Sequence, residues 1–162
     1  MKIKQWLLVF FLCMVLGGCR QSLGHFKDGN IDLDQLIIDM NEKTKNQDWE
    51  FPYVNQSVKE SDETAELYSM DMTNIEHSYR VSSILDAELG EITFFQADES
   101  QDERIKQGIE VRLTALKEEW GSLLLESENI LSQSKQGRIG EYYYLIVGRD
   151  AQKVVNYMQS IE

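Results

Sequence analysis

Cysteine and histidine are both scarce in this chain, and each scarcity closes off a class of function. The only cysteines are Cys13 and Cys19, both near the start of the 162 residues. A disulfide framework or a zinc cluster needs several cysteines or histidines at set spacings, so neither is expected to hold the rest of the chain together. The histidines number two, His25 and His77. A serine nucleophile needs an imidazole and a carboxylate gathered beside it. His25 falls in a polar stretch, and His77 falls on a strand where its neighbour Glu76 points to the opposite face. No P-loop, dinucleotide fingerprint or calcium-loop pattern occurs either. The acidic run Asp98, Glu99, Asp102 and Glu103 lacks the required glycine and the closing glutamate, and is better explained as the start of a helix. These absences predict no catalytic residue, no cofactor and no metal ligand.

Positive charge is also short. Lysine and arginine total 16 against 28 acidic residues, for a net charge of −12. A surface of that sign repels phosphate, which argues against nucleic acid and against electrostatic adhesion to an anionic bilayer.

What the sequence does carry is concentrated at its beginning. Lys2 and Lys4 precede an apolar run from Trp6 to Leu16, and Leu16-Gly17-Gly18-Cys19 follows. A positive start, a short apolar core and small residues before a cut form a secretory signal. The run is well short of the roughly 20 apolar residues that span a bilayer. The four residues at its end match the lipobox of bacterial lipoproteins, in which the cysteine thiol receives a diacylglyceryl group and becomes the first residue after cleavage. One acyl chain holds a protein to a membrane only marginally, and two hold it stably. The expected division is therefore a signal peptide over residues 1–18, a lipid-anchored flexible leash over 19–30, and one globular domain over 31–162. Cys13 would leave with the signal.

Periodicity predicts the elements of that domain. Leu33, Leu36, Ile37 and Met40 give a first helix over residues 32–43, with Asp32 and Gln35 at capping-box spacing. Trp49, Phe51, Tyr53 and Val54 alternate through an extended segment around the single proline, Pro52. A short helix over 61–69 leads to strands over 75–85 and 91–97. Ser100 and Glu103 have capping-box spacing at the start of the longest helix, residues 101–120, whose stripe is Ile105, Ile109, Leu113, Leu116 and Trp120. Gly108 flanks that stripe and predicts close approach to the sheet. A weak strand over 130–136, a turn at Gly137, a strand over 141–147 and a helix capped by Asp150 complete the chain. The fold expected is α+β: a four-stranded antiparallel sheet in ββα-ββα order with its helices on one face, plus N-terminal helices.

Leu67-Tyr68, the strand Glu91-Ile92-Thr93-Phe94-Phe95, the long helix ending at Trp120, and Gly140-Glu141-Tyr142-Tyr143-Tyr144-Leu145 together resemble the family called domain of unknown function 4358. The resemblance runs over residues 32–161. Members often have Tyr-x-Pro after the long helix, where this chain reads Gly121-Ser122-Leu123-Leu124-Leu125. The family comprises small lipoproteins of Firmicutes, so the resemblance implies a fold and a location, and no activity.

The functional expectation is a lipid-anchored extracytoplasmic lipoprotein at the outer face of the cell membrane, acting as a non-catalytic binding or accessory module. Its partners would be the membrane, through the lipid on Cys19, and an unknown protein or small ligand. The alternative is a small extracytoplasmic hydrolase using paired carboxylates, which requires a pocket holding an acid of raised pKa. Glu91, Tyr142 and Tyr144 are the candidate ligand contacts. Glu91 opens an otherwise apolar strand, and a hydrogen bond to backbone at the 87–90 turn is its structural explanation.

Overall fold

The computed structural model describes residues 26–27, 30–55, 59–60 and 63–161. The expected signal peptide, Cys13, Cys19 and His25 lie outside the described residues. Within the segment expected as a leash, β1 (Phe26–Lys27) pairs antiparallel with β2 (Asn30–Ile31).

Helix α1 spans Leu33–Lys45, and the Asp32 side chain accepts a hydrogen bond from the Gln35 amide at 3.0 Å. The Gln35 side chain donates forward to Asp39 at 2.8 Å, so the capping box is closed on one side only. Leu33, Leu36, Ile37 and Met40 are buried, as a 3.6-residue period requires. The extended segment after α1 is pinned to it by two polar side chains. Asn41 donates to the Val54 carbonyl and accepts from the Val54 amide, at 3.0 and 3.1 Å. Thr44 donates to the Phe51 carbonyl at 3.0 Å. These bonds satisfy backbone that would otherwise be buried unpaired, and they seat Phe51 and Val54 in the core.

The main sheet has four full strands: β4 (His77–Ser82), β5 (Glu91–Gln96), β6 (Lys135–Ile139) and β7 (Tyr142–Val147). The two-residue β3 (Lys59–Glu60) adds a short edge, giving the order β3-β4-β5-β7-β6, with every pair antiparallel. Helix α2 (Thr64–Leu67) precedes β4, α3 (Asp102–Trp120) and α4 (Ser127–Ser132) lie between β5 and β6, and α5 (Ala151–Ile161) closes the domain. The α+β class and the antiparallel four-strand core agree with the sequence.

The placement of the helices does not. Ile92, Phe94, Tyr142, Tyr144 and Ile146 pack with α1 and α5 on one side. Phe95, Tyr143, Leu145 and Val147 pack with α3 on the other. The two long helices therefore cover opposite faces rather than one. Strand β7 explains why, since all six of its residues are buried. With helices on one side only, Tyr143, Leu145 and Val147 would face water, at a cost of roughly 5–9 kcal/mol for three such side chains. A strand apolar on both faces needs cover on both.

Three local expectations also change. Residues 130–136 are not one strand: α4 ends at Ser132 and β6 begins at Lys135. Gly137 lies inside β6, where a Cβ would meet the Tyr144 hydroxyl at 2.6 Å, and the turn falls at Gly140 with φ 55°. The tyrosine ring crossing the strand, rather than a bend, is what requires glycine there. The cap before the long helix is Asp98, which accepts from the Ser100 amide at 2.7 Å and opens a 3-10 turn over Glu99–Gln101. At the last helix the Asp150 side chain turns away to the Glu50 amide and to Lys153, so the helix starts without a side-chain cap from it.

Gly108 does mark a close approach, but to the segment after α2 rather than to the sheet. A Cβ at this position would stand 3.2 Å from the Met70 sulfur and 3.4 Å from the Tyr68 carbonyl. The thioether is flexible and can give way, and alanine gains about 1 kcal/mol of helix propensity over glycine. Gly108→Ala should therefore lie within about 1 kcal/mol of the parent in urea denaturation. A loss of several kcal/mol would mean that the contact is rigid.

Candidate functional site

The face of β5 that meets α3 carries a charge where its register calls for an apolar residue. Glu91 pairs with Ser82 on β4 and with Val147 on β7, and is 2 % exposed. Such a carboxylate must be paired or it shifts to the neutral form. Its partners are side chains, not the backbone of the 87–90 turn. Arg112, from the middle of α3, grips both oxygens: Nε lies 3.1 Å from Oε1 and 3.2 Å from Oε2, and Nη2 lies 2.6 Å from Oε2. Arg80, from β4, brings Nη2 to 3.0 Å from Oε2. The Tyr68 hydroxyl donates to Oε1 at 3.0 Å, and Thr93 reaches the same oxygen at 3.5 Å.

Charge and burial set how these groups titrate. Burial alone would raise the Glu91 pKa. The hydrogen bonds from Arg112 and the charges of Arg80 and Arg112 outweigh it and hold the carboxyl below its ordinary value. The Tyr68 phenol is pushed well above its usual range, first by burial and then by the neighbouring carboxylate. Glu91 is thus a fixed anion. The hydrolase alternative needs a pocket carboxyl kept protonated for general acid catalysis, and Glu91 is drawn the opposite way.

Arg80 is the loosely satisfied member of the group. Its side chain is 18 % exposed, its second contact is the exposed Glu63 at 3.9 Å, and its buried Nε has no hydrogen-bond partner. It lines a cavity of about 340 Å³ at the end of the sheet where the β4–β5 connection approaches the C-terminal turns of α3. Glu91 and Arg112 form the inner wall, Leu116, Trp120 and Leu123 an apolar side, and Asp86, Glu88 and Glu119 carry negative charge around it. Leu85 and Leu123 stand well out into solvent there, at 50 % and 74 % exposure.

The other two candidate contacts are elsewhere. Tyr142 and Tyr144 are buried on the opposite face of the sheet, Tyr142 edge-on to Phe94 and Tyr144 over Gly137. The fold does not bring them to Glu91, and burial raises the pKa of both phenols. Arg112 and Arg80 went unrecognised in the sequence, and Tyr68, which carries part of the family resemblance, was not recognised as a partner of Glu91. For Arg112 a signal existed: it follows Gly108 and precedes Leu116 by four residues each, which puts it inside the apolar stripe of α3. Arg80 and Tyr68 had no comparable signal. Among the described residues no group of acids, histidines or cysteines is arranged to hold a metal ion, and no helix is long and apolar enough to cross a membrane.

The family model described as Domain of unknown function (DUF4358) matches residues 47–148. The chain belongs to this family. No curated protein and no solved structure gives a significant match. The matched residues are narrower than the resemblance read from the sequence, since they leave out α1 and α5 and run from the extended segment to the end of β7. Tyr68, Arg80, Glu91 and Arg112 all fall inside the DUF4358 match, as does the cavity beside them. The helices that cover the other face, α1 and α5, lie outside the matched residues.

Proposed function

We propose that this DUF4358 protein is a lipid-anchored extracytoplasmic module, held at the outer face of the cell membrane by a diacylglyceryl group on Cys19, that binds a small ligand or a partner without transforming it. The observation that carries the anchoring is Leu16-Gly17-Gly18-Cys19 at the end of a short apolar run behind two lysines. The observation that favours binding is the cavity beside Glu91, which joins an apolar wall to the partly exposed guanidinium of Arg80. Binding sites of this kind are mostly apolar with a few placed polar groups. The fixed ionisation of Glu91 favours binding over acid catalysis.

Mass spectrometry of the membrane fraction tests the anchor. The parent chain should yield a mature protein beginning at Cys19 with its sulfur in a thioether to diacylglycerol. Cys19→Ala should keep its signal or be shed into the medium. Intact residues 1–18 on the parent protein would refute the anchor.

A further inference from the structure

Strand β6 ends the sheet on an edge that pairs with nothing else among the described residues. Gly140 and Glu141 form the turn to β7, so Ile139 and Tyr142 are the closing hydrogen-bonded pair of that hairpin. Alternation then aims the backbone of Lys135, Gly137 and Ile139 at β7, and that of Gln136 and Arg138 outward. The bond from the Ala97 amide to the Glu141 carbonyl, on the other side of β7, has the matching phase. Gln136 and Arg138 are also the exposed residues of the strand. Their outward N–H and C=O groups form a row that only another extended backbone complements.

A second copy of β6 supplies that backbone when it runs antiparallel about a two-fold axis. An axis at Arg138 sets Arg138 against itself, and like charges directly opposite are destabilising. An axis at Gln136 sets Arg138 against Ser134, whose amide is already bonded to the Leu131 carbonyl. An axis at Gly137 puts Gln136 and Arg138 of each copy into hydrogen-bonded pairs with one another and opposes no like charges. Gly137 then faces Gly137, where Cα atoms approach to about 4.5 Å. The Tyr144 hydroxyl lies over that seam, 2.6 Å from where a Gly137 Cβ would stand.

Charge favours the same register. A groove of about 330 Å³ between β6 and the first half of α3 is lined by Ile105, Ile109, Tyr143 and Glu110. Glu110 makes no ion pair among the described residues. Helix α3 runs from the Gln96 end of the sheet toward the Glu91 end, where Arg112 sits, so Glu110 stands at the Gln136 end of β6. With the axis at Gly137, Arg138 of the second copy lies opposite Gln136 and therefore beside Glu110. Its own bond to Glu99 uses Nη1 alone, and a guanidinium has further N–H donors. We infer that β6 is an interface between two copies of this chain, paired antiparallel about Gly137 into one continuous sheet.

The interface is independent of both the lipid anchor and the cavity beside Glu91. The test is disulfide trapping between two full-length variants, Gln136→Cys and Arg138→Cys, produced together in the same cells. In the stated register these positions face each other at about 5.5 Å between Cα atoms, within disulfide reach. Two copies of the same variant place their cysteines diagonally, about 7–8 Å apart, at the limit of that reach. Intact cells are oxidised with copper phenanthroline, and mass spectrometry scores peptides joined at positions 136 and 138, so the cysteines near the N-terminus do not enter. The mixed product should exceed the 136–136 and 138–138 products by roughly fivefold or more. Glu110→Arg in the copy carrying Arg138→Cys meets the intact Arg138 of the other copy and should cut the mixed product several-fold. The same change in the copy carrying Gln136→Cys meets no arginine and should leave the yield unchanged. Equal loss in the two arrangements would overturn the contact between Glu110 and Arg138. No mixed product, or equal yields of all three products, would overturn the interface.

Discussion

Glu91→Ala should lower the unfolding free energy by about 3–5 kcal/mol, the range for removing one partner of a buried ion pair. The size follows from what remains. Arg112 is 5 % exposed and directs Nε and Nη2 at the missing carboxylate, so the variant keeps a buried charge with nothing opposite it. Arg80 can turn toward solvent, and the Tyr68 hydroxyl loses an acceptor at 3.0 Å. Urea denaturation measures the loss as a lower midpoint at unchanged slope. Acid should show the same group by its sign. The Glu91 carboxyl lies below the ordinary glutamate value of 4.5 in the folded protein. Such a group adds stability that is complete above the unfolded value and disappears as pH falls through the folded one. Glu91→Ala should therefore flatten the fall in stability below about pH 4.5. A variant within 1 kcal/mol of the parent, with the acid limb unchanged, would mean that the cluster is solvated.

Gly148→Ala should cost about 2–5 kcal/mol, combining overpacking with backbone strain. Gly148 leaves β7 with φ 153°, in the region that side chains rarely enter, and a Cβ there would lie 2.5 Å from Cε2 of Phe51. Moving the ring aside is costly, because Phe51 is buried in the cluster with α1 and α5 and its backbone is held by Thr44. The contrast with Gly108 is one of neighbours. There the facing atom is the end of a flexible methionine, and here it is an immobilised ring. A double-mutant cycle with Phe51→Ala separates the two parts of the cost. Removing the ring relieves the clash, so the pair should fall short of additivity by at least about 1 kcal/mol. Strict additivity would leave only the backbone contribution.

The elements that carry long apolar patterns were legible in the sequence. Leu33, Leu36, Ile37 and Met40 on α1, and Ile105, Ile109 and Leu116 on α3, are buried as their spacing requires. Strand β7 was equally plain, and its residues are apolar on both faces, which calls for cover on both sides. The expectation of both long helices on a single face left that consequence out, and the structure follows the strand. Gly137 misled because a glycine flanked by polar residues suggests a turn, whereas the cause is the Tyr144 ring from the next strand. Such a cross-strand contact leaves no local trace in the residues around the glycine.

The site divides in the same way. Glu91 stood out as an acid in an apolar strand, yet its closest partners, Arg80, Arg112 and Tyr68, come from β4, α3 and the end of α2, 11 to 23 residues away along the chain. Only Arg112 carried a readable sign, a cation on the buried side of a helix. A cation and an anion each on the buried face of its own element are more economically explained as facing each other than as two separate exceptions. Arg80 stands out only in the structure, from its burial, its contact with Glu91 and the cavity in front of it.

Replacing a buried ion pair with well-packed apolar residues is often neutral or stabilising, whereas removing one partner alone costs about 3–5 kcal/mol. The double variant Glu91→Leu with Arg112→Met separates the two effects, because it removes both charges while filling their volume and gives up only the contacts of Tyr68 and Arg80 to the carboxylate. Urea denaturation of that protein beside Glu91→Ala tests the account of the buried cluster most directly. A double variant more stable than Glu91→Ala by at least about 1 kcal/mol is the predicted result. A double variant no more stable than Glu91→Ala would contradict it.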